Sequence, residues 1–144
     1  MGTRRQARET ALQLLYLCDI THFKPEDVGE DTWTSFKLQG PNLEFSKHLF
    51  EGSSRRKQQL DLLISGHAEN WTLDRMAALD RNILRLAAFE ITDMPETPIN
   101  VIIDEAVEIA KKYSTVDSGK FVNGILDKLK TARNPEKEKP SSTP

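Results

Sequence analysis

The stretch PINVIIDEAVEIAKKYS, residues 98–114, decides the fold class. Ile99, Ile102, Ile103, Ala106, Ile109, Ala110 and Tyr113 recur every three or four positions, while Asp104, Glu108 and Lys111 fall on the other side. That period is one buried stripe on an α-helix; a half-buried strand would alternate in twos. Thr97 as cap and Pro98 at the first helical position supply a start signal.

The same period extends outward in both directions. Towards the C-terminus, Asp117 reads as the cap of a closing helix with Phe121, Val122, Ile125, Leu129 and Ala132 facing inward. Towards the N-terminus, a helix from about Leu73 to Thr92 puts Met76, Leu79, Ile83, Leu86 and Ala87 on one face, with Arg81 and Arg85 pointing away. Residues 4–20 carry a stripe of Ala7, Ala11, Leu14, Leu15 and Cys18. A second helix is expected from Pro25 to about Leu38, broken by Gly40-Pro41. Asn42 then caps a longer segment bearing Leu43, Phe50, Leu60, Leu63 and Ile64, with a kink or interruption at Gly52-Ser53-Ser54. No strand and no repeat is visible. The expectation is an all-α compact bundle of six to seven helices in two helical subdomains, about 1–70 and 71–133, dividing near Asn70-Trp71-Thr72. Residues 134–144, NPEKEKPSSTP, read as a disordered tail because they offer almost no apolar surface to bury.

With 20 basic and 22 acidic side chains, the total charge carries no nucleic-acid signal, so distribution decides. The first ten residues hold Arg4, Arg5 and Arg8 against Glu9 alone, whereas residues 19–31 hold Asp19, Glu26, Asp27, Glu30 and Asp31 against Lys24. The single cysteine, Cys18, excludes an internal disulfide and points to a reducing cytoplasm; on an apolar face it reads as core. Neither a secretory signal nor an apolar run long enough to span a membrane occurs.

No catalytic constellation is apparent. The glycines are scattered, His22, His48 and His67 lie in unrelated segments, and Glu44 and His48 are four apart where a di-iron pattern needs three. Glu105 and Glu108 read as solvated acids. Glu90 falls in the middle of the apolar face with Leu79, Ile83 and Leu86, and reads as a structural hydrogen-bonding group. No enzyme activity, metal or cofactor is expected.

Binding is better signalled. On a helix, Arg4, Arg8 and Arg5 span an arc of roughly 100° beside the buried stripe, and Leu12 and Tyr16 continue that side. Guanidinium forks fit phosphate oxygens, and an aromatic ring stacks on an unpaired base. In STVDSGKFVNGILDKL, residues 114–129, a helix N-terminus offers backbone N–H groups at Ser118, Gly119 and Lys120, beside the charge of Lys120 and the ring of Phe121. Asp117 and Asn123 suit base edges, and Gly124 reads as a site of close helix packing. A helical protein-interaction scaffold without RNA recognition is the alternative.

Four collinear blocks carry a resemblance: TRRQARETALQLLY (3–16), NW with LDRNILRLAAFEI (70–91), P-x-NVIIDEAVEIAKKYS (98–114) and DSGKFVNGILDKL (117–129). Together they resemble the NusB family of bacterial transcription antitermination factors over nearly the whole chain to residue 130. The resemblance implies an all-helical fold and binding of single-stranded boxA RNA jointly with NusE, a protein of the small ribosomal subunit. It also implies action with other Nus factors on RNA polymerase in ribosomal RNA operons, and no catalysis. By position it assigns RNA contact to Arg4, Arg5, Arg8, Tyr16, Asp117, Lys120 and Phe121, and NusE contact to Asp80 and Arg81. Some relatives of the fold self-associate, so a homodimer stays open. The fold also occurs as an RNA-binding module of ribosomal RNA cytosine methyltransferases, but 144 residues leave no room for a methyl-donor domain.

Overall fold

A computed structural model of the chain describes residues 3–68 and 72–133. The expected tail and the expected divide at Asn70-Trp71 lie outside the described residues. Among those described there are seven α-helices and no strand. They are α1 (Arg4–Thr21), α2 (Glu30–Thr34), α3 (Gly40–Arg55), α4 (Lys57–Ser65), α5 (Ala78–Asp93), α6 (Ile99–Tyr113) and α7 (Val116–Leu129). Single 3-10 turns occur at Pro25–Asp27, Leu73–Arg75 and Lys130–Ala132.

Helix α5 is the axis of the molecule. Every residue from Asn82 to Ile91 is buried, and it packs against α1, α3, α4, α6 and α7. Around it α1 lies on α3, and α6 on α7. The predicted stripes of α1 and α6 face inward over most of their length, with Ala7, Ala11, Leu14, Leu15, Ile102, Ile103, Ala106, Ile109 and Ala110 all buried, but Ile99 is only partly buried and Tyr113, at the end of α6, is 40% exposed. Cys18 is partly buried against that core. Where α3 crosses α5 the ring of Phe89 lies against Gly52 so closely that a Cβ there would overlap it.

Helix ends are where the structure departs from the sequence reading. Helix α1 opens with a reciprocal cap: Gln6 N–H donates to Thr3 Oγ1 at 3.0 Å, and Thr3 N–H donates to Gln6 Oε1 at 2.9 Å. This satisfies two orphan donors at an end crowded with arginines. The predicted helix over 25–38 shrinks to a 3-10 turn and the five residues of α2. Gly29 is extended, the Thr-Trp-Thr-Ser run from Thr32 favours helix poorly, and Lys37 adopts a φ of +62° that no helix continues through. Pro41 opens α3 instead of closing α2, so Asn42 is not the cap, and Gly52-Ser53-Ser54 stays helical; the break comes at Arg56. The predicted start at Leu73 is a detached turn, because Met76 and Ala77 are extended. Arg81 Nη1 donates to the carbonyls of Leu73 and Met76 there, both at 3.3 Å. The cap of α6 is Pro98, and the cap of α7 is Thr115, whose hydroxyl accepts from Ser118 N–H; Asp117 sits in the first turn.

Arg133 closes the bundle. Its guanidinium donates to the carbonyls of Glu90, Ile91, Met94 and Thr97 at and beyond the end of α5. The Glu90 and Met94 carbonyls also accept from the backbone N–H groups of Met94 and Thr97, so the guanidinium fills second acceptor positions there, and a cation at a helix C-terminus also suits the helix dipole.

Candidate nucleic-acid interface

The three N-terminal arginines have three different environments. Arg4 is exposed, lies 4.2 Å over the ring of Phe45, and donates to the Pro41 carbonyl at 3.1 Å. Arg5 is also exposed and grips Glu105 of α6 with Nε at 2.7 Å and Nη2 at 2.9 Å. Arg8 is not at the surface. It is 6% exposed and donates to both oxygens of Glu90, itself 2% exposed, at 2.9 and 2.8 Å. The expectation of an open Arg8 therefore does not hold, because its counter-charge comes from an inward-facing carboxylate 82 residues away. Glu90 is the structural hydrogen-bonding group that its place on the apolar face suggests.

Helix α1 runs along α6 towards the start of α7. Beyond the Arg5–Glu105 pair, Glu9 accepts from Lys112 Nζ at 3.0 Å and from the Tyr113 hydroxyl at 3.1 Å. Ser114 and Ser118 hydroxyls share a hydrogen bond of 2.8 Å, and Ser118 Oγ donates to Asp80 at 3.3 Å. The next residue, Arg81, reaches back to Asp19 of α1 with bonds of 2.7 and 3.1 Å. The first turn of α7 is thus bracketed by Glu9 on one side and Asp19 on the other. Tyr16 lies between them. Seven residues after Glu9 and eleven after Arg5, it shares their helix face to within about 20°. Tyr16 is 37% exposed, Asp117 and Lys120 are exposed, and Phe121 is half-buried against the core. Arg5, Tyr16 and the start of α7 therefore lie along one edge of the molecule, and Arg4 extends it towards α3.

Three expectations change in detail. The Ser118 and Gly119 N–H groups are already used, donating to Thr115 Oγ1 and the Thr115 carbonyl, so they do not face an external anion. Gly124 has open space where a Cβ would sit; close packing falls instead at Gly119, whose Cβ would stand 2.7 Å from Lys111 Cγ. Arg85, expected to point away from the core, is 6% exposed; it donates to Asp61 at 2.7 and 3.1 Å and to Asp19 at 3.1 Å.

The electrostatics follow from these pairings. Burial would push the Asp19 carboxyl up, but hydrogen bonds from Arg81 and Asn82, with the charge of Arg85, hold it at about 2. Burial pushes Asp80 up, and the Ser118 hydroxyl offsets only part of that. Its Oδ1 has no hydrogen-bond partner. Hydrogen bonding from Arg5 holds Glu105 below the usual carboxylate range. Sequence reasoning missed Glu9, Phe45 and Glu105 as members of this edge. Glu105 was legible only as an acid on the polar face of its helix, and nothing local pointed to Arg5, 100 residues away. Among the described residues no group of three or more His, Cys, Asp or Glu could hold a metal ion, and no helix is long and apolar enough to cross a membrane.

The pattern of the NusB family matches residues 5–131. The chain is 45% identical to the transcription antitermination protein NusB of Elusimicrobium minutum, over 92% of this chain and 96% of that one. Its fold superposes on T. maritima NusB with a TM-score of 0.79 and 34% identity, covering 95% of this chain and 96% of that one. It also superposes on a chain from a structure described as antitermination factors NusB and NusE in complex with dsRNA. There the TM-score is 0.80 and the identity 28%, covering 90% of this chain and 96% of that one.

Proposed function

The chain belongs to the NusB family, and on that premise we propose that it is an RNA-binding transcription antitermination factor. It binds the single-stranded boxA element of nascent RNA together with NusE. The pair joins other Nus factors on RNA polymerase and suppresses premature termination, notably in ribosomal RNA operons. The observation that carries this reading is the shared edge: exposed Arg4 and Arg5, then Tyr16, then the first turn of α7 with Asp117, Lys120 and Phe121. Backbone phosphates lie against Arg4, Arg5 and Lys120 and fix register. Bases splayed from a single strand stack on Tyr16 and Phe121, and Asp117 accepts from their edges. Arg8, tied to Glu90 inside the bundle, seats α1 rather than touching phosphate. Arg81, tied to Asp19 of α1, lies at the NusE contact, and Asp80, only 8% exposed and accepting from Ser118, supports that contact from beneath.

The test is titration of a short boxA-containing strand against a scrambled control, with and without NusE. About three neutralised phosphates give a slope of log K against log salt near −2, at about −0.7 each. Arg4→Ala with Arg5→Ala weakens RNA binding and leaves the fold and NusE affinity intact. NusE and RNA tighten one another by the same factor, as linkage requires. A flat salt response overturns the phosphate contacts, equal affinity for the scrambled strand in the presence of NusE overturns recognition of boxA, and binding to neither strand favours a scaffold that never meets RNA.

A further inference from the structure

The Arg5–Glu105 pair has the geometry of a binding site already filled. A guanidinium presents two donors in parallel along its Nε–Nη2 edge, the arrangement that grips two oxygens of a phosphate or a carboxylate. Here that edge is taken by Glu105 Oε1 and Oε2, at 2.7 and 2.9 Å. Yet the pair lies at the surface: the Arg5 side chain is 46% exposed and that of Glu105 22%. The Arg8–Glu90 pair, with side chains 7% and 3% exposed, is sealed in the core. Removing one partner of a sealed pair strands a buried charge, whereas an exposed pair exchanges partners at little cost. Arg5 is therefore the one of these two paired arginines that an incoming anion can take over.

We propose that Glu105 is an internal competitor for the RNA backbone: it occupies the Arg5 fork in the free chain, and a phosphate must displace it to gain that contact. The proposal rests on the RNA-binding reading above and adds to it the residue that sets the affinity. A polyanion offering only charge exchanges one carboxylate for one phosphate and gains little at Arg5. A strand that also stacks on Tyr16 and Phe121, or is held by a second protein, has further contacts to drive the exchange. Glu105 thereby holds down the RNA affinity of the lone chain.

The experiment compares the full chain with Glu105→Gln, using the boxA-containing strand over a range of salt. The amide keeps size and shape but releases the fork. Glu105→Gln binds about two- to fivefold tighter at low salt, the range an exposed ion pair supplies, while its salt slope stays near −2, since about the same three phosphates are neutralised. Asp27→Asn, with the same change in net charge beyond the other end of α1, leaves both unchanged. In an Arg5→Ala background the gain from Glu105→Gln falls to less than half, since the fork it would release is gone. The proposal is overturned if Glu105→Gln binds no tighter than the parent, if Asp27→Asn matches it, or if the gain survives undiminished without Arg5. Each of those results leaves RNA binding by the parent in place. If neither parent nor variant binds the strand at any salt, the RNA-binding reading falls and this proposal with it.

Discussion

Arg8 and Glu90 place two full charges where almost every neighbour is apolar. Leu12, Ile83, Leu86, Ile102, Ala106 and Ile109 surround them. Taking such charges out of water costs several kcal/mol each, recovered only by close, doubly hydrogen-bonded pairing. The pair is therefore worth little net while both members are present, and removal of one is severe. Glu90→Gln leaves a buried guanidinium without its counter-charge and costs about 3–5 kcal/mol in urea denaturation. Arg8→Met combined with Glu90→Leu, which removes both charges and keeps the volume, returns stability to within about 1 kcal/mol of the parent or above it. A cost below about 1 kcal/mol for Glu90→Gln alone would mean the pair is not sealed as described. The position of Glu90 was legible, since its place on an apolar helix face is a matter of counting residues. That Arg8 answers it was not: a helix wheel of α1 shows the arginine beside the stripe, and nothing local points to a partner on a helix 82 residues on.

At the scale of the helices, periodicity carried most of the information and the ends carried least. A 3.6-residue repeat sums over four or five turns, so the inward faces of α1, α6 and α7 could be read from apolar positions alone. A cap depends on one residue and its backbone angles. Thr97, Asn42 and Asp117 are all good capping types, yet Pro98, Gln39 and Thr115 take those places. Glycine shows the same division between local pattern and tertiary contact. Gly52 and Gly124 both lie inside helices, but only Gly52 faces another helix. Gly52→Ala drives a methyl group into Phe89, a ring buried at 2% exposure, and destabilises by about 1–3 kcal/mol as overpacked cores do. Gly124→Ala meets nothing within 4 Å and stabilises by about 0.5–1 kcal/mol through the reduced freedom of the unfolded chain. Thermal melts of the two variants should move in opposite directions; movement in the same direction would show that α3 does not pass so close to α5.

Across the whole molecule, the charges that look dispersed in sequence converge on Asp19. This carboxylate accepts from Arg81, Asn82 and Arg85, and Arg85 continues to Asp61, so one network ties α1 to α4 and α5. Elements separated by the expected divide near residue 70 are joined by it. The acidic belt and the scattered arginines of α5 were visible in sequence; their pairing required the fold, because spacings of 62 to 66 residues carry no period. The network has a pH signature whose sign is fixed. The folded-state pKa of Asp19, at about 2, lies below its ordinary value of 3.8. A depressed carboxylate stabilises the fold above its unfolded pKa, and that contribution disappears as pH falls through the folded value. Urea midpoints of the parent should therefore fall relative to those of Asp19→Asn as pH is lowered from about 5 towards 2. At pH 7 the variant should be the less stable of the two, since Arg81 and Arg85 lose their shared counter-charge, and the gap should close in acid. A gap that stayed constant from pH 7 to pH 3 would mean Asp19 titrates alike in folded and unfolded chains, and the joint between α1 and α5 would have to be held by packing alone.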